Sequence, residues 1–228
     1  LDQPEAAAWH RAQATRLREG RKVEALDDDS VPALRPGERP VFAPRPWRPG
    51  VAAPITVVAG LPRSGTSMLM QALAAGGLAP LTDGRRLADE DNPRGYLEYE
   101  RATHLAEDQA WLAEARGRAV KLVLALLPHL PPGESYRLVL VQRDLREVLA
   151  SQARMLQRLG RPGAALRPRA LAAQYLAQER MVAELLAARP AIGVLALDYA
   201  EVLADPGAAA ARMGAFLGDG FDVGAAAA

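Results

Sequence analysis

The stretch Gly60-Leu61-Pro62-Arg63-Ser64-Gly65-Thr66-Ser67 sets the fold, because an apolar run at 55–59 precedes it and an apolar-periodic run at 66–75 follows it. This order predicts a strand, a glycine-bounded turn and a helix. The first backbone N–H groups of a helix have no internal partner, and the helix dipole favours an anion there. Residues 60–67, here called the phosphate loop, are therefore predicted to bind a phosphate group.

One position distinguishes the phosphate loop from the Walker A loop of nucleoside triphosphatases. The Walker pattern has a lysine, which reaches the β- and γ-phosphates, where this chain has Thr66. Arg63, three residues earlier, supplies the cation instead. These features favour a mononucleotide-type phosphate over a triphosphate. The predicted binding residues of the loop are Arg63, Ser64, Gly65, Thr66 and Ser67.

Composition narrows the class of protein. The chain has 228 residues, half of them hydrophobic, with a formal net charge of +1 and no cysteine. A near-neutral chain without a long run of bases is not typical of nucleic-acid binding, and the lack of cysteine excludes disulfides and thiol catalysis. No apolar run has membrane-spanning length, and no His or carboxylate spacing suggests a metal site. We expect a cytoplasmic protein.

The sequence predicts three parts. Residues 1–30 form a small N-terminal helical appendage, and residues 55–228 form the main domain. Residues 31–54 are rich in proline, which lacks an N–H donor and has a fixed φ, so they form an extended connector. Phe42 and Trp47 are expected to pin this connector to the core.

The main domain alternates short apolar strands with helices. This pattern predicts an α/β fold of the P-loop type, with three layers and a central parallel sheet covered by helices on both faces. Ligands of such sheets bind beyond the carboxyl ends of the strands. The predicted strands are 55–59, 119–124, 136–142 and 192–197. The predicted helices are 66–75, 99–116, 145–159, 168–188 and 206–217, followed by an alanine-rich tail that is expected to be either truncated or loosely built.

A second anion site is indicated after the strand at 136–142. Arg143 follows this strand, and Asp144 is placed to cap the next helix. Ser151 lies eight residues after Arg143, two turns into that helix. A guanidinium and a hydroxyl at these positions would hold a second phosphate, although an Arg-Asp pair after a strand is also a common structural salt bridge.

These motifs resemble the sulfotransferases that use 3'-phosphoadenosine-5'-phosphosulfate (PAPS). Residues 62–67 are similar to the 5'-phosphosulfate loop of bacterial and of protein-tyrosine or carbohydrate members, and Arg143 with Ser151 is similar to the family's 3'-phosphate pair. Residues 197–206, leading to Phe216-Leu217-Gly218, resemble the family's late strand and terminal helix. The resemblance covers about residues 55–218. It implies PAPS as co-substrate, with no metal.

Two further residues are candidates for catalysis. Lys121 lies in an apolar run, where an unpaired ammonium is costly, so it either faces an anion or extends to solvent. A lysine of the corresponding strand approaches the sulfonate in related sulfotransferases.

Residues 80–98, here called the charged loop, are long enough for a lid or a substrate wall. The loop ends in a motif similar to one of bacterial members, which makes Glu98 the candidate general base, with Glu90 and Asp91 as rivals.

The resemblance implies in-line transfer of a sulfuryl group from PAPS to a hydroxyl of a small molecule, a carbohydrate or a peptide. Arg63 would neutralise charge on the leaving bisphosphate, and Glu98 would take the acceptor proton. One alternative is a P-loop kinase acting on a small molecule, with Asp144 or Asp198 binding magnesium. The other is a non-catalytic scaffold with a nucleotide-binding fold.

Overall fold

The structure is a computed structural model that describes residues 39–48, 53–89, 92, 95–158, 160 and 168–228. The predicted N-terminal appendage, residues 1–30, lies outside the described residues. The same is true of the two rival bases, Glu90 and Asp91.

A parallel four-stranded sheet forms the centre of the fold. Its strands are β1 (Ile55–Gly60), β2 (Ala119–Val123), β3 (Tyr136–Gln142) and β4 (Gly193–Asp198), in the spatial order β2-β1-β3-β4. The described helices are α1 (Thr66–Ala75), α2 (Leu112–Ala115), α3 (Leu145–Arg158), α4 (Pro168–Ala188), α5 (Tyr199–Ala204), α6 (Pro206–Leu217) and α7 (Val223–Ala227). Two 3₁₀ segments, Glu100–His104 and Leu124–His129, lie before and after β2. The predicted α/β class with a central parallel sheet is confirmed.

The chain divides into two compact units. The larger contains Val41–Arg143 and Met181–Ala228 and therefore holds the whole sheet. The smaller, as far as it is described, contains residues 39–40 and most of 144–180.

Within the smaller unit, the predicted cap of α3 is confirmed. Asp144 Oδ1 accepts hydrogen bonds from the N–H groups of Arg146 and Glu147 at 2.9 and 3.2 Å. In the same unit, Glu179 is buried and pairs with Arg39 at 2.6 Å. A carboxylate removed from water needs such a partner, because burying it unpaired would be costly.

Burial on both faces of the sheet explains why its strands could be recognised in the sequence. Val58 and Val139 lie in a core cluster with residues of α1, α5 and α6. Their neighbours Val57 and Leu138, which point to the other face, are fully buried as well. Strands buried on both faces are continuously apolar rather than alternating, and all four predicted strands are found, each within one residue at either end.

The predicted helix 99–116 is wrong. The chain instead forms the 3₁₀ segment Glu100–His104 and, after a turn, the short α2. Asp108 interrupts the helix, because its carboxylate accepts from Ala110 N–H at 3.0 Å and pairs with Arg101 at 2.8 Å. Aspartate competes in this way with the helical hydrogen-bond pattern.

Two other expectations concern the ends of the larger unit. Phe42 is buried and Trp47 donates from Nε1 to Ser135 Oγ at 3.2 Å, so both residues pin their segment to the core as predicted. The expectation of a loosely built end is wrong. Phe221 and Val223, which begins α7, pack against the core cluster, and Asp222 Oδ1 caps α7 by accepting from Ala225 N–H at 2.9 Å.

The strand order places a topological switch at β1. The chain passes from β1 to β2 on one side and then to β3 on the other side of β1. In open α/β sheets the crevice at such a switch, outside the carboxyl ends of the strands, is where ligands bind. The phosphate loop leaves β1 at this place.

Candidate active site

The phosphate loop is shaped by its main chain. Ser64 N–H donates to Leu61 O at 3.1 Å, which closes a tight turn. Arg63 and Gly65 have left-handed backbones, with φ of 67° and 104°. A Cβ atom at Gly65 would lie 2.6 Å from Tyr199 Cδ2, so this position requires glycine for both its φ and its space.

No acidic side chain of the described residues caps the N-terminus of α1. Within the described chain no side chain caps this helix, and its first turn holds no acidic residue. Ser64 is 1% exposed, and its Oγ has no hydrogen-bond partner among the described residues. The first N–H groups of α1, from Thr66 onward, therefore have the geometry that binds phosphate groups.

Lys121 extends from β2 to the first turn of α1. Ala119, two residues earlier on the same face of β2, lies in the core cluster with α1. Lys121 Nζ is 2.8 Å from Glu98 Oε1, and it donates to Ser67 Oγ at 3.1 Å and to Tyr96 O at 2.8 Å. Of the two alternatives for Lys121, contact with an anion is therefore the one found, and its side chain is only 11% exposed.

Glu98 is held by two cations. Besides its pair with Lys121, its Oε1 and Oε2 accept from Arg86 Nη1 at 2.9 and 3.0 Å. Burial acts to raise the pKa of Glu98, but Lys121 and Arg86 outweigh burial and lower that pKa below its ordinary value. Burial also lowers the pKa of Lys121, since the lysine is the more deeply buried partner, and Glu98 opposes this shift.

The main chain of the charged loop presents Glu98 to this edge of the sheet. Thr82 Oγ1 donates to Glu98 O at 2.9 Å, and Gln71 of α1 donates to Gly95 O at 2.9 Å. Leu97 has a φ of 48°, a left-handed conformation that is uncommon for a leucine. The residue before Glu98 thus carries local strain, a feature that often accompanies functional sites.

Arg143 lies at the phosphate loop. Its Nη1 donates to Arg63 O at 3.1 Å, and its guanidinium lies 4.2 Å from the ring centroid of Tyr199. Ser151 is buried in α3, within the smaller unit, and its pairing with Arg143 stays a prediction.

Tyr199 and Arg86 were not identified as site residues from the sequence. Tyr199 is the first residue after β4, at the carboxyl end of a parallel strand, and this position was a usable signal. Arg86 gave no such signal, because its contact with Glu98 joins two positions of a loop without regular structure.

The acids required by the kinase alternative have other partners. Asp144 caps α3, and Asp198 Oδ1 caps α5 by accepting from Ala200 N–H at 2.8 Å and Glu201 N–H at 3.2 Å. Among the residues that the structure describes, no three His, Cys, Asp or Glu side chains form a group that could hold a metal ion. Nor does this part of the chain contain a helix that is long and apolar enough to cross a membrane.

Comparison with known proteins finds similarity at the level of structure. The chain matches no model of a known protein family, and its sequence matches no curated protein. It is similar to the crystal structure of a sulfotransferase from Alicyclobacillus acidocaldarius, with 16% sequence identity and a TM-score of 0.47. The similarity covers 76% of this chain and 83% of that protein. The chemistry of the site therefore has to follow from its own contacts.

Proposed function

We propose that the chain transfers a sulfuryl group from PAPS to an acceptor hydroxyl. The observation that carries this proposal is the contact of Lys121 Nζ with Ser67 Oγ at 3.1 Å. In a Walker A loop the hydroxyl at this position coordinates magnesium. Here a lysine ammonium lies beside it, so a cation of the protein stands where a triphosphate site would use a metal. A 5'-phosphosulfate, which needs no such metal, suits this arrangement.

The proposed roles follow the positions of the side chains. Thr66, Ser67 and the backbone N–H groups of the phosphate loop, with Ser64 and Gly65, hold the 5'-phosphate. Arg143, together with Ser151, holds the 3'-phosphate of the same nucleotide. A bisphosphate ligand explains why a second arginine lies at the loop, with its guanidinium 3.1 Å from Arg63 O.

The proposed reaction is an in-line displacement at sulfur. The acceptor oxygen forms a bond to sulfur while the bond from sulfur to the bridging oxygen of the 5'-phosphate breaks. Arg63 neutralises the charge that grows on the bridging oxygen, and Lys121 neutralises charge on the sulfonate. Glu98, which its lowered pKa keeps ionised, takes the acceptor proton. The acceptor is a small molecule, a carbohydrate or a peptide, and a cytoplasmic location stays a prediction.

A binding comparison tests the proposal. We expect adenosine 3',5'-bisphosphate to raise the melting temperature, and ATP with magnesium to have little effect. The Arg143→Ala variant should lose about tenfold to a hundredfold in affinity for the bisphosphate, since a hydrogen bond to a charged group contributes about 1.5–3 kcal/mol. The affinity for adenosine 5'-monophosphate, which lacks the 3'-phosphate, should change little.

Arg146→Ala is the matched control, because it removes an exposed arginine only three residues further on. Its affinity for both nucleotides should equal that of the wild type. Stabilisation by ATP with magnesium alone would support the kinase, and stabilisation by neither ligand would support the non-catalytic scaffold. An equal loss of both nucleotides in Arg143→Ala would make Arg143 a structural residue.

A further inference from the structure

Arg86 has no part in the transfer chemistry described above, yet two groups hold it in place. Its Nη1 contacts both carboxylate oxygens of Glu98, at 2.9 and 3.0 Å. Its guanidinium carbon lies 3.5 Å from the ring centroid of Tyr96. The Tyr96 hydroxyl in turn donates to the carboxylate of Asp89, with distances of 2.8 and 2.9 Å to its two oxygens. The stacked ring therefore orients the guanidinium toward Glu98.

Lys121, the second partner of Glu98, also has other hydrogen-bond partners. An ammonium has three N–H donors, and Lys121 directs its donors at Glu98, Ser67 and the backbone oxygen of Tyr96. If the donor sulfonate is to bind Lys121, one of these three partners has to give way. Glu98 is the anionic one, so a sulfonate competes with it directly for the same charge.

Arg86 differs from Lys121 in this respect. It approaches Glu98 from within the charged loop rather than from β2, and its side chain is 46% exposed, against 11% for Lys121. We propose that Arg86 is a positioning residue, whose stacked guanidinium keeps the Glu98 carboxylate in place when Lys121 turns to the donor anion. This inference rests on the proposed function, because it takes Glu98 as the base.

The charges around Glu98 set the expected effect of removing Arg86. Among the residues that the structure describes, the charged groups in contact with the Glu98 carboxylate are Lys121 from β2 and Arg86 from the charged loop, with Tyr96 and Asp89 behind Arg86. Burial raises the pKa of Glu98, and Lys121 and Arg86 lower it. Without Arg86, only Lys121 would oppose the effect of burial, so the pKa of Glu98 should rise. A proposed base with a higher pKa stays protonated to a higher pH, and the acidic limb of the pH–rate profile should move the same way.

An NMR titration of the full chain, with ¹³C-labelled glutamate carboxyls, measures this directly. Glu98 is assigned by the signal missing in Glu98→Gln. We expect Arg86→Gln to raise the titration midpoint of Glu98 by about one pH unit. Arg86→Lys should raise it by less, because lysine keeps the charge but cannot reproduce the stacked, two-oxygen contact. Arg85→Gln is the control: it removes the neighbouring arginine, which pairs with Glu100, and should leave the midpoint unchanged.

The outcomes separate this inference from the proposed function. An unchanged Glu98 midpoint in Arg86→Gln overturns the positioning role, whatever the activity. If Arg86→Gln does not fold, Arg86→Lys decides, and a midpoint equal to that of the wild type overturns the role. A third outcome is a shifted midpoint in Arg86→Gln together with a wild-type protein that transfers no sulfuryl group. This result supports the contact of Arg86 with Glu98 but contradicts the proposed function. In an active enzyme, the acidic limb of kcat/KM should shift with the midpoint, and a limb that stays in place overturns the role.

Discussion

The phosphate loop and the charged loop lie at the same edge of the sheet but are built differently. The phosphate loop owes its shape to neighbours in sequence, with a hydrogen bond from Ser64 N–H to Leu61 O and a left-handed Gly65. The last residues of the charged loop owe their position to side chains from elsewhere, above all to the contact of Glu98 with Lys121. One site is therefore made by local backbone geometry and the other by long-range charge pairing.

This difference determines what each region should tolerate. A loop made by its backbone is sensitive to changes that alter φ or fill space, and it is insensitive to pH. A carboxylate held by cations responds to any change in protonation or in the partner charges. Three substitutions test this contrast, beginning with the one that should have the greatest effect.

Gly65→Val should be the most damaging change. It combines a β-branched side chain at positive φ with a clash against the Tyr199 ring. We therefore expect a loss of about 3 kcal/mol in the free energy of unfolding. Bisphosphate binding should no longer be measurable. Urea denaturation and calorimetry measure the two effects. Gly84→Val is the control, because Gly84 has a φ of 67° but a Cβ atom there would meet nothing within 4 Å, so only backbone strain of about 1–2 kcal/mol applies. Equal losses of stability in Gly65→Val and Gly84→Val would show that the Tyr199 ring is not the reason why position 65 requires glycine.

Glu98→Gln should have a smaller effect that depends on pH. It leaves the buried Lys121 without its carboxylate, and we expect a loss of about 1–3 kcal/mol at pH 7. The pKa of Glu98 is lowered in the folded state, so its stabilisation is present above the unfolded pKa of about 4.3 and is lost as the pH falls through the folded value. The difference in stability between wild type and variant should therefore shrink below about pH 4.

Denaturant titrations between neutral and acidic pH check this prediction. Glu100→Gln is the control, since it breaks an exposed ion pair with Arg85 and should cost about 0–1 kcal/mol. A difference between wild type and Glu98→Gln that stayed constant over the whole pH range would mean that ion pairing does not hold Glu98.

Tyr199→Leu should have the smallest effect and tests whether the contrast is complete. Tyr199 is a distant side chain that the phosphate loop does use, because its ring lies against Gly65 and beneath the Arg143 guanidinium. Loss of a cation–π contact of about 1 kcal/mol should weaken bisphosphate binding about fivefold. Tyr199→Phe keeps the ring and should bind like the wild type. If leucine and phenylalanine behave alike, Arg143 is positioned without Tyr199.

The same contrast explains which predictions from the sequence succeeded. The four strands are continuous apolar runs, and helix α1 begins at Thr66 as expected, because these features depend on nearby residues. The helix predicted at 99–116 failed because Asp108 draws neighbouring N–H and guanidinium groups to its side chain. The pattern of apolar residues in a sequence does not indicate where a polar side chain such as Asp108 will compete with the hydrogen bonds of a helix.

The candidate site divides along the same line. The amino-acid sequence alone was enough to predict the turn of the phosphate loop between β1 and α1, the missing Walker lysine and the place of Arg143 after a strand, since each depends on a few adjacent residues. The contacts of Lys121 with Ser67 and Glu98, and the support that Tyr199 gives Arg143, became known only from the folded chain. These pairs depend on strand order and on the path of a long loop, which bring together charges that are far apart in the chain.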